Sequence, residues 1–346
     1  MEVSRSINLS LGIIVIFLGG VVLRLAKPVL FPFFLAIFLS YILAPLLNLL
    51  KKFKVPKALS ILLVLGVAFF IIYLLGTLFY TSGKSFASAL PQYSQKVENF
   101  IASLETKLRM ARLNWELVDW LNQFNLERVG KLVLASFGPF FAFISNLFLI
   151  FLFLVFILAE NESFGAKIAR ALPQERSVIV LGVIQKINYQ IQKYLAIKTL
   201  VSFITGVLAT VVLVLFGLEF AIVFGFLTFL LNYIPNIGSF IATAFPVAMA
   251  VFQYDNLWPA FWILVILITI QMVMGNFVEP RLMGEGLGLS PLVVILALFF
   301  WGWLWGIPGM ILAVPITAII KIVCSNIPSL KFLAVLMSKG GEGEAG

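Results

Sequence analysis

"FAIVFGFLTFLLNYIPNIGSFIATAFPVAMAVFQ", residues 220–253, is an apolar stretch interrupted at its centre by "NYIPNIG" (232–238). Pro235 lacks an amide hydrogen and disfavours helix at Ile234, and Gly238 permits a turn. Each flanking half has about 14 residues and spans about 21 Å as a helix, less than a hydrocarbon layer of about 30 Å. Residues 291–322 repeat the arrangement: "PLVVILALFFWGWLW", then "GIPG" (306–309), then "MILAVPITAIIK". Gly306, Pro308 and Gly309 form the second break. Lipid tolerates broken backbone only where protein or a water-filled cavity surrounds it, and transporters often bind their substrates there. Each region is either a re-entrant hairpin or a pair of short tilted spans. Both arrangements return the chain to the side it left.

Composition places these breaks in a bilayer. The 346 residues are 62% apolar and 11% charged, with a mean hydropathy of +1.10. A soluble domain would carry about 25% charged residues. Apolar runs at 7–23, 29–50, 58–80, 132–159, 199–217 and 258–278 each suit a spanning helix. No small-residue cleavage site follows the first run, which is read as a retained span. The expected fold is all-α: a polytopic membrane protein of about six full transmembrane helices, two broken or re-entrant hairpins and a small extracytoplasmic helical segment.

Orientation rests on "KKFKVPK" (51–57), four lysines in seven residues between two spans, which the positive-inside rule places in the cytoplasm. Both termini then lie inside and 81–131 outside. In that outer segment Leu90, Tyr93, Val97, Phe100, Leu104 and Leu108 follow helical spacing, and a second candidate helix carries Trp115, Val118, Trp120, Leu121 and Phe124. They suit a helical hairpin on the membrane or on the protein's own core, or else a lid or a contact between subunits of a homo-oligomer. Ile184, Ile187, Ile191 and Leu195 give 166–198 the character of an interfacial helix, with a polar row of Gln185, Asn188 and Gln192. The expected division is 1–80, three spans; 81–131, the outer segment; 132–198, a span and the cytoplasmic helix; 199–322, a transport core; and 323–346, a cytoplasmic tail.

Charge and composition also exclude functions. The net charge of +9 follows membrane topology, so nucleic acid is not an expected partner; the lipid bilayer is. With no histidine and one cysteine, Cys324, the usual His/Cys zinc sites and the Ser–His and Cys–His dyads cannot be built. Neither a catalytic set nor a metal site nor an organic cofactor is expected.

"NFVEPRLMGEGLGLSPLVV" (276–294) brings polar chemistry to the end of a span. On a regular helix over 258–279, Thr269, Met272, Asn276 and Glu279 fall within about 80° of one another. Glu279 would occupy the last turn, where the helix dipole disfavours an anion, and Pro280 would end the helix. A carboxylate so placed needs a cation, a proton or Arg281. One reading makes Glu279 and Arg281 a surface anchor. The other makes Glu279 and Asn276, with Asn232, Pro235, Asn236 and Gly238 of the first break, a site for substrate or a coupling ion, Na+ or H+. The alternate glycines Gly284, Gly286 and Gly288 suit a hinge before the second hairpin, whose own turn holds Gly306, Pro308 and Gly309.

"LNYIPNIGSFIA" (231–242), "VEPRLMGEGLGLSPLVV" (278–294) and "WGIPGMILAVPITAII" (305–320) resemble signature segments of the autoinducer-2 exporter family, and the likeness covers essentially the whole chain. Ser290 stands where many members carry His. The resemblance implies a prokaryotic inner-membrane protein that exports a small polar solute, such as the quorum-sensing furanone, or exchanges sodium for protons. A passive channel or oligomeric pore is the rival, although neither an acidic ring nor a carbonyl filter is evident.

Overall fold

The structure, a computed structural model, describes residues 18–110, 147–254, 256–284 and 286–340. The described residues are helical almost throughout, with an isolated antiparallel bridge between Leu289 and Ser338. Among the described residues, five helices are long and apolar enough to cross a membrane, or six if a bent pair counts as one span. The chain is therefore an all-α, multi-pass membrane protein.

After a helical run at 18–25 come α1 (Lys27–Lys52) and α2 (Lys57–Met110). Pro28 lies in the first turn of α1, where a missing amide hydrogen costs nothing, and Lys51 and Lys52 lie in the last turn, where cations suit the helix dipole. Lys54 turns the chain with φ +58°. α2 is unbroken for 54 residues, about 80 Å at 1.5 Å per residue. The expected outer helix around 90–108 is thus the continuation of the third span rather than a separate element. Its proposed companion at 115–124 lies outside the described residues, as does 132–146 of the fourth apolar run. α3 (Leu147–Ala171) bends by 69° between Glu160 and Ser163.

α4 (Gln174–Leu215) corrects a second boundary. The expected interfacial helix and the span after it form one helix of 42 residues, about 63 Å long. Ile191, Leu195, Lys198, Ser202, Thr205, Ala209 and Leu213 are buried at three- and four-residue steps straight through residue 199, so one packing face serves both halves.

The remaining elements are α5 (Ala221–Leu231), α6 (Ile237–Gln253), α7 (Trp258–Met272), a π-helical turn (Val273–Val278), α8 (Glu279–Met283), α9 (Pro291–Trp305), α10 (Ile307–Ser325), a 3-10 turn (Pro328–Leu330) and α11 (Lys331–Met337). The chain divides into two compact units: Met1–Leu65, Leu147–Val201 and Phe277–Gly346 form one, and Gly66–Asn146 with Ser202–Asn276 form the other.

In the first unit, α9 packs on α10 and α1 packs on α3. Trp305 is buried there among Phe31, Phe34 and Trp301. In the second, α6 packs on α5 and on α7 around Leu213, Met249, Ile263 and Leu267. Its α4–α5 turn is stitched to the end of α6. The Glu219 amide donates to Gln253 Oε1, Gln253 Nε2 donates to Gly217 O, and the Tyr254 hydroxyl donates to Phe216 O.

Candidate functional site

The two helical hairpins owe their closure to backbone contact. In α5–α6, a Cβ on Gly238 would lie 1.8 Å from the Leu231 carbonyl oxygen, so only glycine lets the limbs meet. Gly238 was expected to supply a turn; its requirement is space instead. The unusual dihedrals fall on Asn236, at φ +60° and ψ −54°, a region that side chains other than glycine rarely enter. Asn232, at the start of the break, is buried, and its Nδ2 donates to Ser202 Oγ at 3.0 Å. Pro235 is half-buried and Asn236 exposed.

The α9–α10 hairpin turns at Gly306 (φ +77°), and a Cβ on Gly309 would stand 2.1 Å from Trp301 O. Pro308 occupies the first turn of α10. In both hairpins the first limb is the shorter, 11 against 17 residues and 15 against 19. At 1.5 Å per residue α5 covers only about 17 Å. It is well short of a crossing.

Glu279 differs most from its expected setting. Pro280 does not end the helix. A proline ring clashes with the carbonyl four residues back, here that of Asn276, and leaves it without its donor. The π-helical turn at 273–278 widens the ladder at that point, and α8 runs on to Gly284, whose φ of +65° ends it. The wider turn also rotates everything beyond it relative to a regular helix. The expected stripe therefore separates. Thr269, Met272 and Asn276 are exposed, whereas Glu279 is turned inward.

Its partner there is Lys198, which reasoning from sequence did not single out. Lys198 Nζ donates to Glu279 Oε1 at 2.7 Å and to Oε2 at 2.8 Å. The two side chains are 5% and 17% exposed. Arg281, one of the partners considered for Glu279, is exposed. Lys193, a little over one turn before Lys198 on α4, brings its Nζ near Gly284 at the C-terminus of α8, where a cation suits the dipole. The one available signal was positional: Lys198 falls on the apolar stripe of α4, where an unpaired charge would be costly.

Gly284, Gly286 and Gly288 all have φ between +62° and +65°, a conformation that disfavours any side chain. In chemical terms the site offers a part-buried carboxylate held by a buried ammonium, next to a widened helical turn. A hydrogen-bonded asparagine lies at a helix break in the other unit.

Residues 11–329 match the family model described as "AI-2E family transporter". The chain is 34% identical to "AI-2 transport protein TqsA" of Escherichia coli (strain K12), over 96% of this chain and 95% of that protein. It is also similar to two proteins each named "Putative transport protein". That of Borreliella burgdorferi is 32% identical over 96% of this chain and 90% of its own, and that of Haemophilus influenzae 33% over 95% of each.

Proposed function

The chain belongs to the AI-2E transporter family, and from that premise we propose that this membrane transporter exports a small polar solute of the autoinducer-2 kind, driven by a proton or sodium gradient. The observation that carries the coupling is the pair of buried Lys198 and part-buried Glu279. A carboxylate in low dielectric must be neutralised, and Lys198 does so from within the protein. A proton or Na+ arriving at Glu279 competes with that ammonium for the same two oxygens. The site thus has two mutually exclusive forms, a neutral lysine-bound one and an ion-bound one in which the displaced Lys198 ammonium must find another partner, and alternation between them is what coupling requires. The polar groups at the hairpin breaks, Asn232 and Asn236 with the Pro235–Gly238 turn, are the proposed solute contacts, since broken helices expose backbone donors and acceptors. Gly284 and Gly286 give the chain between α8 and α9 its freedom to move, and Gly306 and Gly309 shape the second turn. The name of the Escherichia coli relative supports the solute class.

Proteoliposomes test the reading directly. With an imposed pH or sodium gradient, the wild-type protein should accumulate labelled autoinducer-2 beyond equilibrium. Lys198→Gln/Glu279→Gln, which removes both charges together, should only equilibrate it. Equilibration by the wild-type protein would mean a passive pore. Undiminished accumulation by the double variant would remove the pair from the mechanism. The same pair also suits exchange of sodium for protons without an organic solute, which sodium uptake into empty vesicles would reveal.

A further inference from the structure

The C-terminal segment is bonded to the loop between Glu279 and the second hairpin. The Gly288 carbonyl accepts from Lys321 Nζ at 2.6 Å and from the Lys339 amide at 3.1 Å. The Ser290 amide donates to Met337 O at 2.9 Å, and Leu289 bridges Ser338. Between these contacts runs α11, which packs on α10 through a face that includes the buried Ala334.

The opposite face of α11 is apolar and uncovered. Phe332, Val335 and Leu336 are 61%, 58% and 71% exposed and lie within about 100° of one another on the helix. Lys331 and Lys339, both exposed, bracket them. What covers this face follows from its place in the chain. α10 is a membrane-length helix ending at Ser325, and α11 begins six residues later while still packed on it. A short helix held at the edge of a span, with an apolar face and flanking lysines, has the makings of an interfacial anchor on an anionic leaflet.

We propose that residues 331–339 form an interfacial clasp: the apolar face of α11 rests among the headgroups of an anionic leaflet, Lys331 and Lys339 meet lipid phosphates, and the backbone bonds hold residues 288–290 to that seat. The clasp divides the three left-handed glycines. Gly288 stays with the membrane-seated helix and the hairpin behind it, which leaves Gly284 and Gly286 as the pivot for α8. Anionic lipid thereby acts on the loop that follows Glu279, whatever solute is carried.

Hydrogen exchange of the full chain in nanodiscs tests this. The Ser290 and Lys339 amides should exchange about thirtyfold more slowly with phosphatidylglycerol present than in phosphatidylcholine alone, as two lysines near an anionic surface would produce. Lys331→Gln/Lys339→Gln should abolish that difference while keeping every backbone donor. In a separate variant, the indole of Phe332→Trp should be quenched by brominated lipid. Equal exchange in both lipids, or a Phe332→Trp indole reached only by aqueous iodide, would overturn the proposal.

Discussion

Removing the charge from Glu279 alone leaves the Lys198 ammonium buried without its carboxylate. Such an orphaned charge costs about 3–5 kcal/mol, whereas removing both members of a buried pair is often close to neutral. Glu279→Gln should therefore lower thermal stability in detergent by an amount in that range, and Lys198→Gln/Glu279→Gln should regain most of it. Equal losses in the single and double variants would show that the two side chains are not energetically joined. This ordering matters for any transport assay, because a dead Glu279→Gln protein could reflect misfolding alone. Asn236 makes the opposite case. Its backbone sits in a sparsely populated region that costs roughly 1–3 kcal/mol, and its side chain gives no capping bond in return. Asn236→Gly should stabilise the protein by about 1 kcal/mol. If transport falls while stability rises, the strain is being held for function; if transport is unchanged, Asn236 has no part in the site.

At the scale of elements, the hairpins depend on glycines that differ in what faces them. Gly309 faces the Trp301 carbonyl and Gly238 the Leu231 carbonyl, and backbone cannot yield without opening the hairpin. Gly302 faces only the Met310 side chain, which can rotate. Gly309→Ala and Gly238→Ala should each cost about 3 kcal/mol, near the upper end of overpacking penalties, and Gly302→Ala distinctly less, read from unfolding midpoints. Comparable losses at Gly302 and Gly309 would count against close backbone approach. Both breaks were legible in the sequence because Pro and Gly act locally. The course of 258–283 was not: Pro280 reads equally well as a stop or as the first turn of a new helix, and only packing selects the π-turn that lets the helix continue. Lys198 was missed for a related reason. The apolar spacing of Ile184, Ile187, Ile191 and Leu195 before it makes an interfacial helix the natural reading, and its partner lies 81 residues away in the chain.

For the molecule as a whole, the sidedness of the loops decides which solutions the coupling site and the clasp can meet. α2 separates Lys54 from Lys84 by a single membrane-length segment, Lys57–Ser82. We propose that the two positions lie on opposite faces, whichever way the protein inserts. The proposed direction rests on Lys51, Lys52, Lys54 and Lys57, a cluster that the positive-inside rule keeps in the cytoplasm. We propose that between Lys54 and Lys339 the chain crosses four times, in α2, in the apolar run that ends in α3, in α4 and in α7–α8, while each hairpin returns to the side it left. Lys339 should therefore share the side of Lys54, the leaflet in which anionic lipid gives the stronger surface potential. Single cysteines replacing Lys54, Lys84 and Lys339 in a Cys324→Ser background make this measurable with an impermeant maleimide. Lys84→Cys should label in intact cells, and Lys54→Cys and Lys339→Cys only in inverted vesicles. Labelling of Lys54→Cys and Lys84→Cys from one side would remove α2 as a crossing. Labelling of Lys339→Cys with Lys84→Cys would mean that one hairpin limb crosses alone, and would move the clasp to the outer leaflet.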